Sequence, residues 1–134
     1  MRHLTPAFAI GALRRGKPIE QFLGGFQQEG RPALRWSTIS PTKSSLTVSL
    51  HEVEDVGPDA LGGTYDISEY PPLDEEEYLG EGRDIGICES PEQALDLAER
   101  ELRARKDRWV NFGVLGDEYA DYRAARNGGS PPNP

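Results

Sequence analysis

"ALRWSTISPTKSSLTVSLHEVEDV", residues 33–56, decides the fold class. Its second half puts Leu46, Val48 and Leu50 on one side of an extended chain and Thr47, Ser49 and His51 on the other. A period of two marks a strand with one face in a core. In the first half, Leu34, Trp36 and Thr38 alternate with Arg35, Ser37 and Ile39. Between them, SPTKSS at 40–45 is a turn cluster. Residues 33–56 therefore read as a β-hairpin.

Working toward the C-terminus, TYDISEY at 64–70 alternates Tyr65 and Ile67 against Asp66 and Ser68, as a third strand would. Pro71 and Pro72 end it, because neither donates to a sheet ladder. RDIGICE at 83–89 reads as a fourth strand. Ser90-Pro-Glu-Gln then supplies an N-cap serine, a proline at the first helical position and a glutamine at the third. The spacing predicts a helix over 91–106, with Ala94, Leu95, Ala98 and Leu102 on its buried stripe. Arg103, Arg105 and Lys106 sit where the helix dipole favours cations. DRWVNFGVLG at 107–116 is a last strand or an irregular plug, and DEYADYRAAR at 117–126 is a short closing helix.

Toward the N-terminus the signals are weaker. Residues 5–16 fit a short strand or a helical turn, 18–23 a short helix or turn, and 24–32 a loop. The expected architecture is a single α+β domain over 1–127. An antiparallel sheet of about four strands is packed by one long amphipathic helix (91–106) and a short C-terminal helix. SPPNP closes a tail, 128–134, expected to be disordered.

A chain of 134 residues is long enough for one domain with a real core. One cysteine, Cys88, excludes an intramolecular disulfide and a cysteine-rich zinc site. No apolar run approaches the ~18 residues of a membrane span, and Arg14 and Arg15 follow the apolar stretch 7–13, the reverse of a signal peptide's order. The expectation is a cytoplasmic protein with no membrane partner. Twelve arginines against three lysines point to a bacterial source.

The charge is uneven. The whole chain carries −8, yet residues 51–84 hold twelve acids and one base, Arg83. At the centre lies YPPLDEEEYLGEG, residues 70–82. Such a field repels phosphate backbones, so direct nucleic-acid binding is disfavoured. It attracts a basic protein. The candidate partner-binding residues are Glu52, Glu54, Asp55, Tyr70, Asp74, Glu75, Glu76, Glu77, Tyr78 and Glu81. Acids steer and pair with Arg or Lys, and tyrosines supply buried area. Tyr65, Tyr119 and Tyr122 also lie in or beside acidic sequence, with core packing as the other reading.

Catalytic and metal motifs are weak. His51-Glu52-Val53-Glu54-Asp55 starts like a zincin motif, but Asp55 stands where the second histidine belongs. The acids from Asp74 to Glu81 lack the alternation and the central glycine of a calcium loop. No glycine pattern forms a phosphate loop, and no cofactor is implied. An enzyme would have to gather His51 with Glu52, Glu54 or Cys88. A regulatory or adaptor module would instead self-associate by pairing the basic N-terminal half, with Arg14-Arg15-Gly16-Lys17, against the acidic block of another copy.

The favoured expectation is a non-catalytic domain whose acidic face masks a basic partner, such as a toxin or a nucleic-acid-processing enzyme. Bacterial immunity proteins and antitoxins share this profile at the level of class: small, acidic, cysteine-poor. No motif ties the chain to one family.

Overall fold

The fold, taken from a computed structural model of the chain, is described for residues 2–73 and 82–128. It is α+β: three helices against one antiparallel sheet of five strands. Helix α1 spans Pro6–Arg14. Strands β1 (Ile19–Gln28), β2 (Arg31–Pro41) and β3 (Leu46–Glu54) follow. After a long connection come β4 (Arg83–Cys88), α2 (Pro91–Leu102), β5 (Val110–Asn111) and α3 (Leu115–Gly128). The sheet order is β4-β3-β2-β1-β5.

The hairpin of β2 and β3 forms as its alternation requires, with Leu34 opposite Val53 and Ile39 opposite Val48. Alternation then builds two cores. On the first face Ile19, Ile39, Leu46 and Val48 meet Ala9, Leu13, Leu95, Ala98 and Trp109, from α1, α2 and the segment before β5. On the second face Leu34, Trp36 and Val53 meet Leu115 and Tyr119 of α3, and Ile67 and Tyr70 of the connection. Two faces covered by different layers is how a sheet this size hides its apolar side chains.

Several expectations change. Residues 18–32 are no short helix and loop but the long strand β1 and a two-residue turn, Glu29-Gly30. Both turn residues have positive φ (52° and 81°), the geometry that matches the right-handed twist of a hairpin. The alternation of β1 is broken at Leu23, which bulges between paired Phe22 and Gly24. Gly24 takes φ +97°, a conformation that costs other residues dearly. Residues 5–16 form α1, capped by Thr5, whose Oγ1 accepts from the Phe8 amide at 3.2 Å.

The third strand expected at 64–70 does not form. Asp66 caps a single 3-10 turn, Ile67–Glu69, so Ile67 and Tyr70 bury three residues apart instead of two. α2 begins as expected, with Ser90 Oγ accepting from the Gln93 amide at 3.2 Å. It ends at Leu102, four residues early, because Arg103 turns left-handed (φ 60°). Arg105 and Lys106 thus lie beyond the helix. α3 starts at Leu115, before the expected Asp117. The expected tail falls outside the described residues from 129 onward.

Candidate functional site

The residues expected to form an acidic face, and the acids beside them, divide into three groups. The first is bound up internally. Glu52 lies on the first face, directly across from Arg35 in the β2–β3 register. Its carboxylate meets Arg35 Nη2 at 3.5 Å and Arg83 Nη1 at 3.3 Å. Glu54 meets Arg31 Nη1 at 3.5 Å. Asp55 accepts a 2.5 Å hydrogen bond from the Tyr119 hydroxyl. Tyr70 is not on a surface: it is 2% exposed, stands edge-on to the Tyr119 ring at 5.7 Å, and donates from its hydroxyl to the Thr64 carbonyl at 3.0 Å. Burial pushes its phenol pKa up.

The second group, Asp74, Glu75, Glu76, Glu77, Tyr78 and Glu81, lies outside the described residues. The described flanks of that stretch are anchored side by side on the outer edge of β3. On one flank the Leu73 amide donates to the Glu52 carbonyl at 3.1 Å, and Pro72 bridges Val53. On the other, Arg83 pairs with Leu50.

Sequence reasoning did not single out the third group, Asp59, Asp66 and Glu69. They lie on the same β3–β4 connection and have no arginine or lysine partner among the described residues. Asp66 is used locally: Oδ1 accepts from the Ser68 amide at 3.2 Å and from its hydroxyl at 2.5 Å. Several acids elsewhere are paired: Glu118 with Arg2 at 2.8 Å, Glu92 with Arg14 at 2.9 Å, and Asp96 with Lys106 at 3.0 Å. Glu29, Asp84, Glu89 and Asp117 also lack an ion pair among the described residues but are scattered through the chain. Beside the connection, Tyr65 (43% exposed) and Phe112 (65% exposed) present aromatic surface.

His51 lies in a cleft of about 400 Å³ on the second face, with Trp36, Thr38 and Glu20. Its ring stacks on Trp36 at 4.8 Å, and Nε2 shares a 3.0 Å hydrogen bond with Thr38 Oγ1. Glu20 is buried, and one carboxylate oxygen accepts from the amides of Gly113 (2.9 Å) and Leu115 (3.1 Å). That carboxylate fixes the approach to α3. Burial raises its pKa, opposed by the two backbone bonds. Glu20 went unnoticed in the sequence because the glycine pair after it hid the strand.

The grouping of His51 with Glu52, Glu54 or Cys88 does not form. The strand alternation sends both glutamates to the first face, and Cys88 packs against the first core. Burial raises the Cys88 pKa and favours the thiol over the reactive thiolate. Among the described residues no three His, Cys, Asp or Glu side chains are grouped to hold a metal ion, and no helix is long and apolar enough to cross a membrane. Comparison with family models, with curated proteins and with solved structures finds no match.

Proposed function

We propose that the protein is a non-catalytic binding domain. It docks a basic partner protein through the β3–β4 connection and covers that partner's positive surface, as an inhibitor of the immunity or antitoxin type does. One observation carries the reading. Residues 55–82 hold nine acids and no base, and the connection is pinned to the sheet by Ile67, Tyr70 and Pro72.

The physical logic is steering followed by anchoring. Like charges concentrated on one connection project a field that reaches about 10 Å at moderate ionic strength. Such a field raises association rates more than it raises affinity. Slow release needs buried apolar area, which exposed Tyr65, Phe112 and Leu61 supply beside the acids. The internal pairing of Glu52, Glu54 and Asp55 moves the proposed contact away from them, onto Asp59, Asp66, Glu69 and the acids of 74–81.

The test is affinity capture from the native lysate, then reconstitution with the purified candidate. Wild type is compared with a variant carrying Asp59→Asn, Glu69→Gln and amides at 74–77. A stoichiometric basic partner that the variant binds far more slowly supports the reading. Equal association rates overturn it.

A further inference from the structure

The outer edge of β1 opens a second, chemically opposite surface. β5 meets β1 only at Ile19 and Glu20, so from Gln21 to Gln28 that side of β1 has no strand partner among the described residues. An unpaired strand edge offers a row of backbone donors and acceptors. This one lines a groove of about 680 Å³, walled on the first face by the segment after α2 and on the second by α3.

The groove's charge is positive although the chain's is not. Arg103, Arg105 and Arg108 line it, all exposed. Arg35, which meets Glu52 at 3.5 Å, lies beyond them over the Phe26 ring at 4.2 Å. Arg103 and Arg108 have no carboxylate partner among the described residues, and Arg105 meets only exposed Asp107 at 3.4 Å. The groove's two acids share one cation: Arg2 meets Glu118 at 2.8 Å and Asp121 at 2.5 Å, and His3 Nε2 lies 2.8 Å from Glu118. The opposite wall is aromatic. Tyr122 lies against Phe22 at 5.2 Å and directly over Gly25.

We propose that this groove binds an extended acidic peptide from another protein, which adds as a sixth strand along residues 22–28. Side chains of an added strand alternate between the two sides of the sheet. Those on the first side meet the arginines and are acidic, because guanidinium pairs carboxylate in a two-pronged geometry. Those on the second side meet Tyr122 and Phe22 and are apolar. The recognised pattern is therefore acidic–apolar–acidic–apolar. This surface is separate from the β3–β4 connection, and either assignment stands or falls alone.

A capped hexapeptide alternating Glu and Val is the probe, followed by amide NMR shifts and fluorescence anisotropy on the full chain. Shifts should concentrate in residues 22–28 and 103–108. Arg103→Glu with Arg108→Glu should weaken binding by about tenfold or more. Lys43→Glu with Arg100→Glu, an equal charge change elsewhere, should leave it within about twofold. Methylating alternate peptide nitrogens keeps every charge but removes strand pairing, and should also cost about tenfold. Undiminished binding of the methylated peptide overturns strand addition. Absence of shifts in β1 overturns the site. Self-association that the Arg103/Arg108 reversal abolishes assigns the edge to a second copy of this chain and likewise overturns the proposal.

Discussion

The side-chain amide of Gln21 makes two hydrogen bonds to the backbone of Arg105. Nε2 donates to the carbonyl and Oε1 accepts from the amide, each at 2.8 Å. Gln21 is 2% exposed, and its carboxamide fastens the arginine-bearing segment to β1 as one more rung of sheet would. Each such bond contributes about 0.5–1.5 kcal/mol net, and the orphaned Arg105 groups add a desolvation cost. Gln21→Ala should lower the unfolding free energy in urea by about 2–3 kcal/mol. A loss under about 0.5 kcal/mol would show that the segment is held by other contacts.

Tyr119 joins the two ends of the second core. Fully buried, it touches Phe22, Tyr70 and Tyr122 with its ring and Asp55 with its hydroxyl. Its phenol pKa is pushed up, first by burial and then by the bond to Asp55. Tyr119→Phe keeps the ring packing and deletes the charge-assisted bond, so it should cost about 1.5–3 kcal/mol in denaturant unfolding. Tyr119→Ala also opens a cavity and should cost about 3–5 kcal/mol.

Glu20 predicts a pH dependence. Its folded-state pKa lies above the ordinary 4.5, so the folded protein holds that proton more tightly than the unfolded chain does. Its contribution to stability is full below 4.5 and is lost as pH rises through the raised value. Glu20→Gln removes the titration. The wild-type unfolding free energy minus that of the variant should therefore fall between mildly acidic and neutral pH. A difference flat across that range would contradict burial as the dominant cause.

Glu52 tests where the partner contact lies. Its two arginine contacts are long, 3.3 Å to exposed Arg83 and 3.5 Å to half-buried Arg35. Such pairs contribute about 0–1 kcal/mol. Glu52→Gln should change stability by no more than that and leave association with the basic partner within about twofold. Glu69→Gln, on an acid with no basic partner among the described residues, should slow association more. The reverse ranking would return the contact to the β3 face.

The hairpin and the α2 start were legible because each rests on a local rule: period-two alternation from Leu46 to Leu50, and the Ser90-Pro91 cap. From that hairpin alone, Glu52 falls opposite Arg35, so its neutralisation could have been read from the register. β1 was hidden by its own devices. A bulge at Leu23 and the Gly24-Gly25 pair break the alternation, and Glu20 is a buried polar residue where an apolar one is expected. Its two-residue turn, Glu29-Gly30, carried the signal that was missed. Tyr70 misled because acidic neighbours describe the loop around a side chain, whereas its burial is set by Tyr119, 49 positions further along the chain. The end of α2 at Leu102 was not legible, since Arg103 is an unusual residue for a left-handed position.

Docking through the acidic connection is tested by the association rate of the purified protein with its reconstituted basic partner, measured by stopped flow at rising salt. Association should be fast at low salt and decline steeply as salt rises. The variant carrying Asp59→Asn, Glu69→Gln and amides at 74–77 should be slower by at least about tenfold at low salt and nearly insensitive to salt. Equal rates and equal salt slopes for the two proteins would contradict it, and would leave the acidic connection no part in recognition.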